Sequence, residues 1–239
     1  MPLPDNQTIP TNQTIPAHVG FILDGNRRWA KAQGLLSLEG HRRGAEVFRE
    51  ISRAAFERGV KYVSAYVFST ENWRRTEKEV NYLMRLVIKV ADQYLDEIHR
   101  EGIKIVVLGR RDGLRANVLK AIARAEEKTA FNTTGTIALC FNYGGQQEIV
   151  DATRQLLEQG ADPATLTPEV FEQALYQPDV PALDLIIRTS GEQRLSNFML
   201  WRAAYAELIF ADKHWPDFTP TDLDAALTTY ASRHRRIGT

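Results

Sequence analysis

The sequence contains a single cysteine, Cys140, among 239 residues. A disulfide framework and a cysteine-based metal centre are therefore excluded, and the usage fits a reducing cytoplasm. There is also no excess of charge, with 30 Lys plus Arg against 30 Asp plus Glu. A nucleic-acid-binding protein normally carries a basic surplus, so no nucleic acid is expected as partner and any affinity for anions must come from local clusters. No apolar stretch approaches the length of a membrane span, and the first residues lack the charged and apolar regions of a secretion signal. The Asn-x-Thr triplets at Asn6, Asn12 and Asn132 are accordingly expected to carry no glycan. Neither a GxxxxGK[ST] loop nor a GxGxxG after the first apolar run is present, which argues against nucleotide binding. What remains is an ordinary globular composition, 44% hydrophobic and 25% charged. The length suits one large α/β domain, and composition does not change past residue 17.

Residues 1–17 are polar and contain NQTIP twice. They have little to bury and are expected to be a disordered tail, leaving 18–239 as the folded domain. The apolar run Val19–Leu23 reads as a buried strand, followed by a helical stretch Arg27–Gln33 that Gly34 interrupts. A helix over His41–Arg58 places Ala45, Phe48, Ile51 and Ala55 on one face, and Gly59 ends it. Strand Val60–Phe68 completes a βαβ unit, the mark of a parallel sheet. The alternation continues with a long helix Lys78–His99, strand Ile103–Leu108, helix Leu114–Lys128, strand Thr136–Phe141 and helix Gln147–Glu158. A short helix begins at Thr167, an N-cap followed by Pro168. Strand Leu183–Ile187 and helices Ser196–Ala206 and Thr221–Arg233 close the chain. Five or six parallel strands with helices on both faces is the expected α/β fold.

Three polar clusters follow three of these strands, where an open α/β sheet binds its ligands. The first is Asp24, Gly25, Asn26, Arg27, Arg28. A carboxylate there can hold a divalent metal, Arg28 and free backbone N–H groups can hold an anion, and Gly25 lets the backbone come close. The same five residues would also make an ordinary turn. The second is Ser69 to Arg75, with hydroxyls, Asn72, Trp73 and two arginines; read blandly, Ser69 or Thr70 only caps a helix. The third runs from Arg188 to Ser196, where Arg188 and Arg194 flank a glycine and hydroxyls and can close on a phosphate. Alone it reads equally as a charged loop, but three such clusters on one sheet reinforce one another.

The segments HVGFILDGNRRWA, EGHRRGA, FSTENWRR with Glu79 following, NYGG at Asn142–Gly145, DLIIRTSGEQRLSNFMLWRAAYAEL and WPDF resemble, in order, the motifs of the cis-prenyltransferases, the undecaprenyl diphosphate synthase family. The resemblance spans His18 to Gly238. It implies a single domain with a six-stranded, mostly parallel sheet and a homodimeric transferase. The implied reaction is magnesium-dependent condensation of isopentenyl diphosphate with an allylic diphosphate primer, farnesyl or geranyl diphosphate, to a Z-polyprenyl diphosphate such as undecaprenyl diphosphate. That product is the precursor of the lipid carrier for cell-wall glycan synthesis, so a cytoplasmic enzyme that delivers a lipid to the membrane face is expected.

The resemblance also implies roles. Asp24 and Asn72 are catalytic. Gly25, Asn26, Arg27, Arg28, Trp29, His41, Ser69, Trp73 and Arg75 bind the allylic substrate. Arg188, Arg194 and Ser196 bind isopentenyl diphosphate, and Glu207 joins Asp24 at the metal. Glu79 ties the Ser69–Arg75 loop to the long helix, while Arg236 and Gly238 reach the partner subunit. The product container is expected between the long helix, through Leu83, Leu86, Val87 and Val90, and the sheet, through Val67, Ile105, Val107 and Leu139. The chain departs from many relatives at Ser37, where an arginine is usual, at Arg27, where glycine is common, and at Thr76, where proline often stands. A short-chain or irregular prenyl diphosphate synthase and a non-catalytic partner subunit are the alternatives. Retention of Asp24 and Asn72 argues against the second.

Overall fold

In the computed structural model, which describes residues 14–233, the first apolar run forms β1, His18–Ile22. All five of its residues are buried, as a strand covered on both faces must be. The other strands are β2 (Tyr62–Ser69), β3 (Ile103–Leu108), β4 (Gly135–Tyr143), β5 (Leu185–Arg188) and β6 (Glu207–Phe210). They form one sheet in the order β3-β4-β2-β1-β5-β6, and every neighbouring pair is parallel. Parallel neighbours require crossovers, which the helices supply: α1 (Asn26–Ala32), α2 (Ser37–Glu57), α3 (Glu77–Arg100), α4 (Ala116–Thr129), α5 (Gly145–Glu158), α6 (Pro168–Glu172) and α7 (Pro220–Ser232).

The strand order has a consequence for function. From β1 the chain passes to β2 on one side, while from β5, the other neighbour of β1, it passes to β6 on the opposite side. The carboxyl ends of β1 and β5 therefore flank a topological switch point, where the diverging connections leave a crevice.

On one face of the sheet, Val19 and Phe21 of β1 and Leu185 and Ile187 of β5 pack against Val47 and Ile51 of α2 and Leu223 and Leu227 of α7. On the same face, Val107 and Phe141 meet α3 through Val80 and Leu83 and α4 through Val118 and Ile122. The opposite face is closed by Leu183, Phe198, Met199 and Ala203, and Trp201 of the same segment packs against Ala152 and Leu156 of α5. Among the described residues no helix is long and apolar enough to cross a membrane.

Three sequence expectations change. The segment Ser196–Ala206 is not a helix: Ser196, Asn197 and Met199 take left-handed backbone conformations, at φ 49°, 67° and 41°. Its apolar spacing is helical, but Asn197 is drawn away to receive the start of α5, accepting from Gly145 N at its carbonyl and from Gln146 N at its side chain, both at 2.8 Å. Tertiary contacts override propensity here. The strand that follows, β6, is the sixth strand that the resemblance implied and that the reading of segments did not place. Helix α2 begins at Ser37 rather than His41, because Gly40 and Gly44 serve contact with α1 instead of ending a helix. A Cβ on Gly40 would stand 2.0 Å from the Asn26 carbonyl oxygen, and one on Gly44 2.4 Å from Asn26 Oδ1. At the other boundary, Ala17, the last residue of the expected tail, is fastened to the domain: its carbonyl accepts from Lys61 N and Tyr62 N, each at 2.9 Å.

Candidate active site

At the switch point the end of β1 meets the end of β5. Asp24 follows β1, and Gly25 turns the chain into α1 at φ 101°. Glycine is required twice over, since a Cβ there would also lie 2.6 Å from Ser190 Oγ and 2.7 Å from His214 Nδ1. The Asp24 carboxylate accepts from Gly25 N (2.7 Å), from Arg28 Nη2 (3.1 Å) and, across the crevice, from Arg188 Nη2 (2.9 Å). Partial burial pushes its pKa up, but the hydrogen bonds from Arg188 and Arg28 outweigh that and hold it below the usual carboxylate range. Asp24 is thus a fixed anion beside two guanidinium groups. Thr189 Oγ1 donates to its carbonyl at 2.7 Å and Trp215 N at 3.0 Å, which pins the loop.

Arg188 is 3% exposed. Its Nη1 reaches the Arg194 carbonyl and, at 2.7 Å, Ser196 Oγ, while its Nε is buried without a partner. Arg194 itself points outward, with its side chain 60% exposed and paired to Glu192. The other carboxylate oxygen of Glu192 accepts from Arg28 Nη1 at 3.3 Å, so one carboxylate links the two arginines over the crevice.

A cleft of about 720 Å³ opens beside Asp24 and is lined by Arg27, Arg28, Lys31, Ser37, His41 and Arg75 among others. Arg75 Nη1 donates to Glu79 Oε1 at 2.7 Å, Arg27 lies 3.7 Å from Glu79 Oε2, and His41 Nε2 is 3.9 Å from Glu79 Oε1. Burial, with the Arg75 charge nearby, lowers the His41 pKa to about 4, so the ring is neutral at pH 7. Glu79 therefore gathers three basic side chains at the cleft wall, as a tie between loop and long helix would. The loop is a short 3-10 turn, Thr70–Arg74, closed by a reciprocal cap in which Asn72 Oδ1 accepts from Ser69 N at 3.1 Å. Trp73 packs edge-on against Phe68 with centroids 5.2 Å apart and donates Nε1 to Asn142 Oδ1 at 2.7 Å.

Beneath the cleft lies an apolar cavity of about 260 Å³ between α2, α3 and the sheet. All eight residues expected to form a product container line it. Leu86, Val87 and Val90 lie on the inward stripe of α3 yet are only half-buried, as side chains facing a void must be. Val67 reaches it through a β-bulge: Tyr66 pairs with Cys140 and Phe68 with Phe141, so Val67 has no opposite number and the strand bends. Leu23, Asn26, His41 and Arg75 line both the polar cleft and the apolar cavity, so the two adjoin at these side chains. Five buried side-chain polar atoms among the described residues have no hydrogen-bond partner, and all belong to this region: four lie on residues of the cavity wall, Asn26, His41, Arg49 and Ser52, and the fifth is Arg188 Nε. Native proteins seldom leave such atoms unpaired except where something else binds.

Two expected members lie elsewhere. Glu207 is the first residue of β6 and sits opposite Leu185, while Arg188, level with Asp24, pairs with Phe210 three residues further along. Glu207 is therefore at the opposite edge of the sheet, bonded to Arg233 Nη1 at 2.6 Å, and does not share a metal with Asp24 of its own chain. The DGN motif follows the carboxyl end of β1 whereas the AEL motif opens the amino end of β6, which linear sequence does not reveal. Trp29 turns its indole N–H to Asp217 Oδ1 at 2.7 Å and lines neither cavity. Arg236 and Gly238 lie outside the described residues. Conversely, Thr189, Ser190, Glu192 and Asn142 stood in recognised motifs without a role and now brace the site. His214 carried no sequence signal at all. Among the described residues no group of three or more His, Cys, Asp or Glu side chains can hold a metal. A divalent ion would draw Asp24 from the protein and its remaining ligands from a bound anion and water, the usual manner of magnesium at phosphate sites.

The family model described as putative undecaprenyl diphosphate synthase matches residues 22–238. An isoprenyl transferase of Thermotoga maritima is 48% identical over 223 residues, covering 92% of this chain and 96% of the relative. Among solved structures, lavandulyl diphosphate synthase from Lavandula x intermedia, in complex with dimethylallyl diphosphate, superposes with a TM-score of 0.91 at 34% identity, covering 94% of this chain and 99% of its own. A probable undecaprenyl diphosphate synthase from Campylobacter jejuni gives a TM-score of 0.81 at 26% identity, covering 95% and 100%.

Proposed function

The chain belongs to the undecaprenyl diphosphate synthase family and is a transferase of the cis-prenyltransferase type, and from that premise we propose that it elongates an allylic prenyl diphosphate, farnesyl or geranyl, with isopentenyl diphosphate to a long Z-polyprenyl diphosphate. The observation that carries this reading is an arginine-lined cleft that adjoins an apolar cavity at Leu23, Asn26, His41 and Arg75. An anionic head joined to a hydrocarbon tail fits no simpler description of that space.

The primer's diphosphate sits in the cleft on Arg27, Arg28, Arg75 and the first N–H groups of α1, with the unpaired His41 Nε2 as a further donor in its N–H tautomer. Lys31 and Arg27 stand in the same cleft as Ser37 and offset the arginine that many relatives carry there. Isopentenyl diphosphate is held by Arg188, Arg194 and Ser196, Arg194 being free to swing inward from its exposed position. Asp24 would hold the magnesium together with diphosphate oxygens, and the ion supplies positive charge against the leaving diphosphate. The allylic carbon–oxygen bond breaks, and Arg27, Arg28 and Arg75 stabilise the charge that gathers on the departing oxygens. The isopentenyl double bond then forms the new carbon–carbon bond, and one proton leaves the carbon beside the new cation. His41, with its pKa near 4, is a weak acceptor, and Asn72 Oδ1 already accepts from Ser69 N, so the released diphosphate takes the proton. Asn72 and Trp73 position the loop over the reacting carbons.

The enzyme works as a homodimer, as the family resemblance implies. The test is incorporation of labelled isopentenyl diphosphate into butanol-soluble product on farnesyl diphosphate. Incorporation that requires magnesium supports the reading, and none with either primer refutes it.

A further inference from the structure

The apolar cavity ends on charge. Its far wall is made by Arg49, Ser52 and Arg53 of α2, by Tyr94 and Ile98 of α3, and by Glu101 just past the end of α3. Arg53 lies twelve residues beyond His41 on the same helix, about 18 Å deeper at 1.5 Å per residue. Ser52 is 2% exposed, and its Oγ is buried without a hydrogen-bond partner. The Nε of Arg49 is buried and unpartnered as well. Behind these atoms the seam between α2 and α3 is ionic: Arg53 Nη2 pairs with both Glu97 and Glu101, Arg49 Nη1 donates to Glu97 Oε1 at 2.7 Å, and the Arg49 guanidinium lies 4.9 Å from the centroid of the Tyr94 ring. Nearer the mouth the same helix presents Leu83, Leu86, Val87 and Val90.

The part-exposed ion pairs of Arg53 with Glu97 and Glu101 keep water that a hydrocarbon pressed against them would strip, and neither they nor the unpartnered Ser52 Oγ would gain a hydrogen bond in return. A chain advancing down this cavity meets only apolar wall until the level of Ser52, where the next step is opposed. Resting on the reading that the cavity receives a growing isoprenoid, we propose that Ser52 and the Arg49–Arg53–Glu97–Glu101 network determine product length, as a polar stop rather than a steric floor.

The two kinds of stop disagree about one pair of substitutions. Valine and threonine have nearly the same shape and differ in a hydroxyl. If polarity stops the chain, Ser52→Val yields products at least one five-carbon unit longer than Ser52→Thr; if bulk stops it, the two coincide. Arg53→Met lengthens the product in the same way, and Arg53→Lys restores it. The measurement is reversed-phase chromatography of dephosphorylated products from the full chain, with farnesyl diphosphate, labelled isopentenyl diphosphate and magnesium. The rate of the first condensation is measured in parallel and is expected to stay within twofold. Longer products from Ser52→Val than from Ser52→Thr support the proposal. Coincident products, or shorter ones from Ser52→Val, overturn it while leaving the elongase reading intact. Failure of the unaltered chain to elongate overturns that underlying reading instead. Should Ser52→Val not fold, the half-exposed Arg53 pair decides alone: equal lengths from Met and Lys overturn the proposal.

Discussion

Val67→Phe places a ring at the reacting end of the cavity, and the structure fixes where that ring can go. Val67 is the extra residue of the β2 bulge, and its neighbour Phe68 is 1% exposed, held between Trp73 and Phe141 at centroid distances of 5.2 and 5.5 Å. Sideways movement is blocked, so the ring projects into a cavity of about 260 Å³. Burying a five-carbon unit is worth about 4 kcal/mol at ~0.8 kcal/mol per carbon. At 1.4 kcal/mol per decade that is a preference of roughly a thousandfold for extending over stopping, and it vanishes for every unit the ring excludes. Crowding costs the fold about 1 kcal/mol, the low end for overpacking because the ring enters a void. Thin-layer or reversed-phase chromatography of dephosphorylated products should show a main product shorter by several units. The KM for isopentenyl diphosphate should change less than about twofold, because β1 lies between the strand of Val67 and that of Arg188. A folded variant with an unchanged length distribution would place the hydrocarbon elsewhere and refute the reasoning.

Other residues give sharper separations. Asp24→Ala should reduce kcat by at least ~100-fold with magnesium present, by loss of charge stabilisation in the transition state, yet leave a cooperative fold; near wild-type turnover contradicts its role. Arg194→Ala should raise the KM for isopentenyl diphosphate and lower kcat with little effect on primer binding, whereas Arg28→Ala should weaken chiefly the primer, and calorimetric titration of each ligand distinguishes these patterns. His41 predicts a pH dependence: its pKa falls from 6.5 to about 4 on folding, through burial first and then Arg75. The unfolded chain therefore binds the proton that the folded chain does not, so this stability is full above pH 6.5 and lost as pH falls toward 4. The amount is on the order of 3 kcal/mol at 1.36 kcal/mol per unit. Urea midpoints between pH 4 and 7 should fall less steeply for His41→Gln than for the unaltered chain, and parallel curves would contradict the assignment.

Much of this was legible in one dimension. The three strand-end clusters announced themselves because charged and hydroxyl residues follow apolar runs at Leu23, Val67–Phe68 and Ile187, and parallel strands bring such ends to one edge. The container was legible because α3 keeps an apolar stripe longer than packing against one neighbour requires. The misjudged segments are those where partners distant in sequence decide. Ser196–Ala206 has helical spacing, but Asn197 is claimed by α5 and Arg202 by the buried Glu148, 54 residues away. Glu207 was placed beside Asp24 because a motif records order and not which end of a strand a residue occupies. The cap at Ser69 was legible as a local signal, whereas the bulge at Val67 depends on register, which no local pattern encodes.

The central claim is that the arginine-lined cleft and the apolar cavity together perform repeated cis elongation. Its most direct measurement is the structure of the product: mass spectrometry for the number of added units and carbon-13 NMR for the geometry of each new double bond, after reaction with farnesyl diphosphate, isopentenyl diphosphate and magnesium. A linear product with several added units, all Z, is predicted. A single condensation, a branched skeleton or E double bonds in the added units would contradict it.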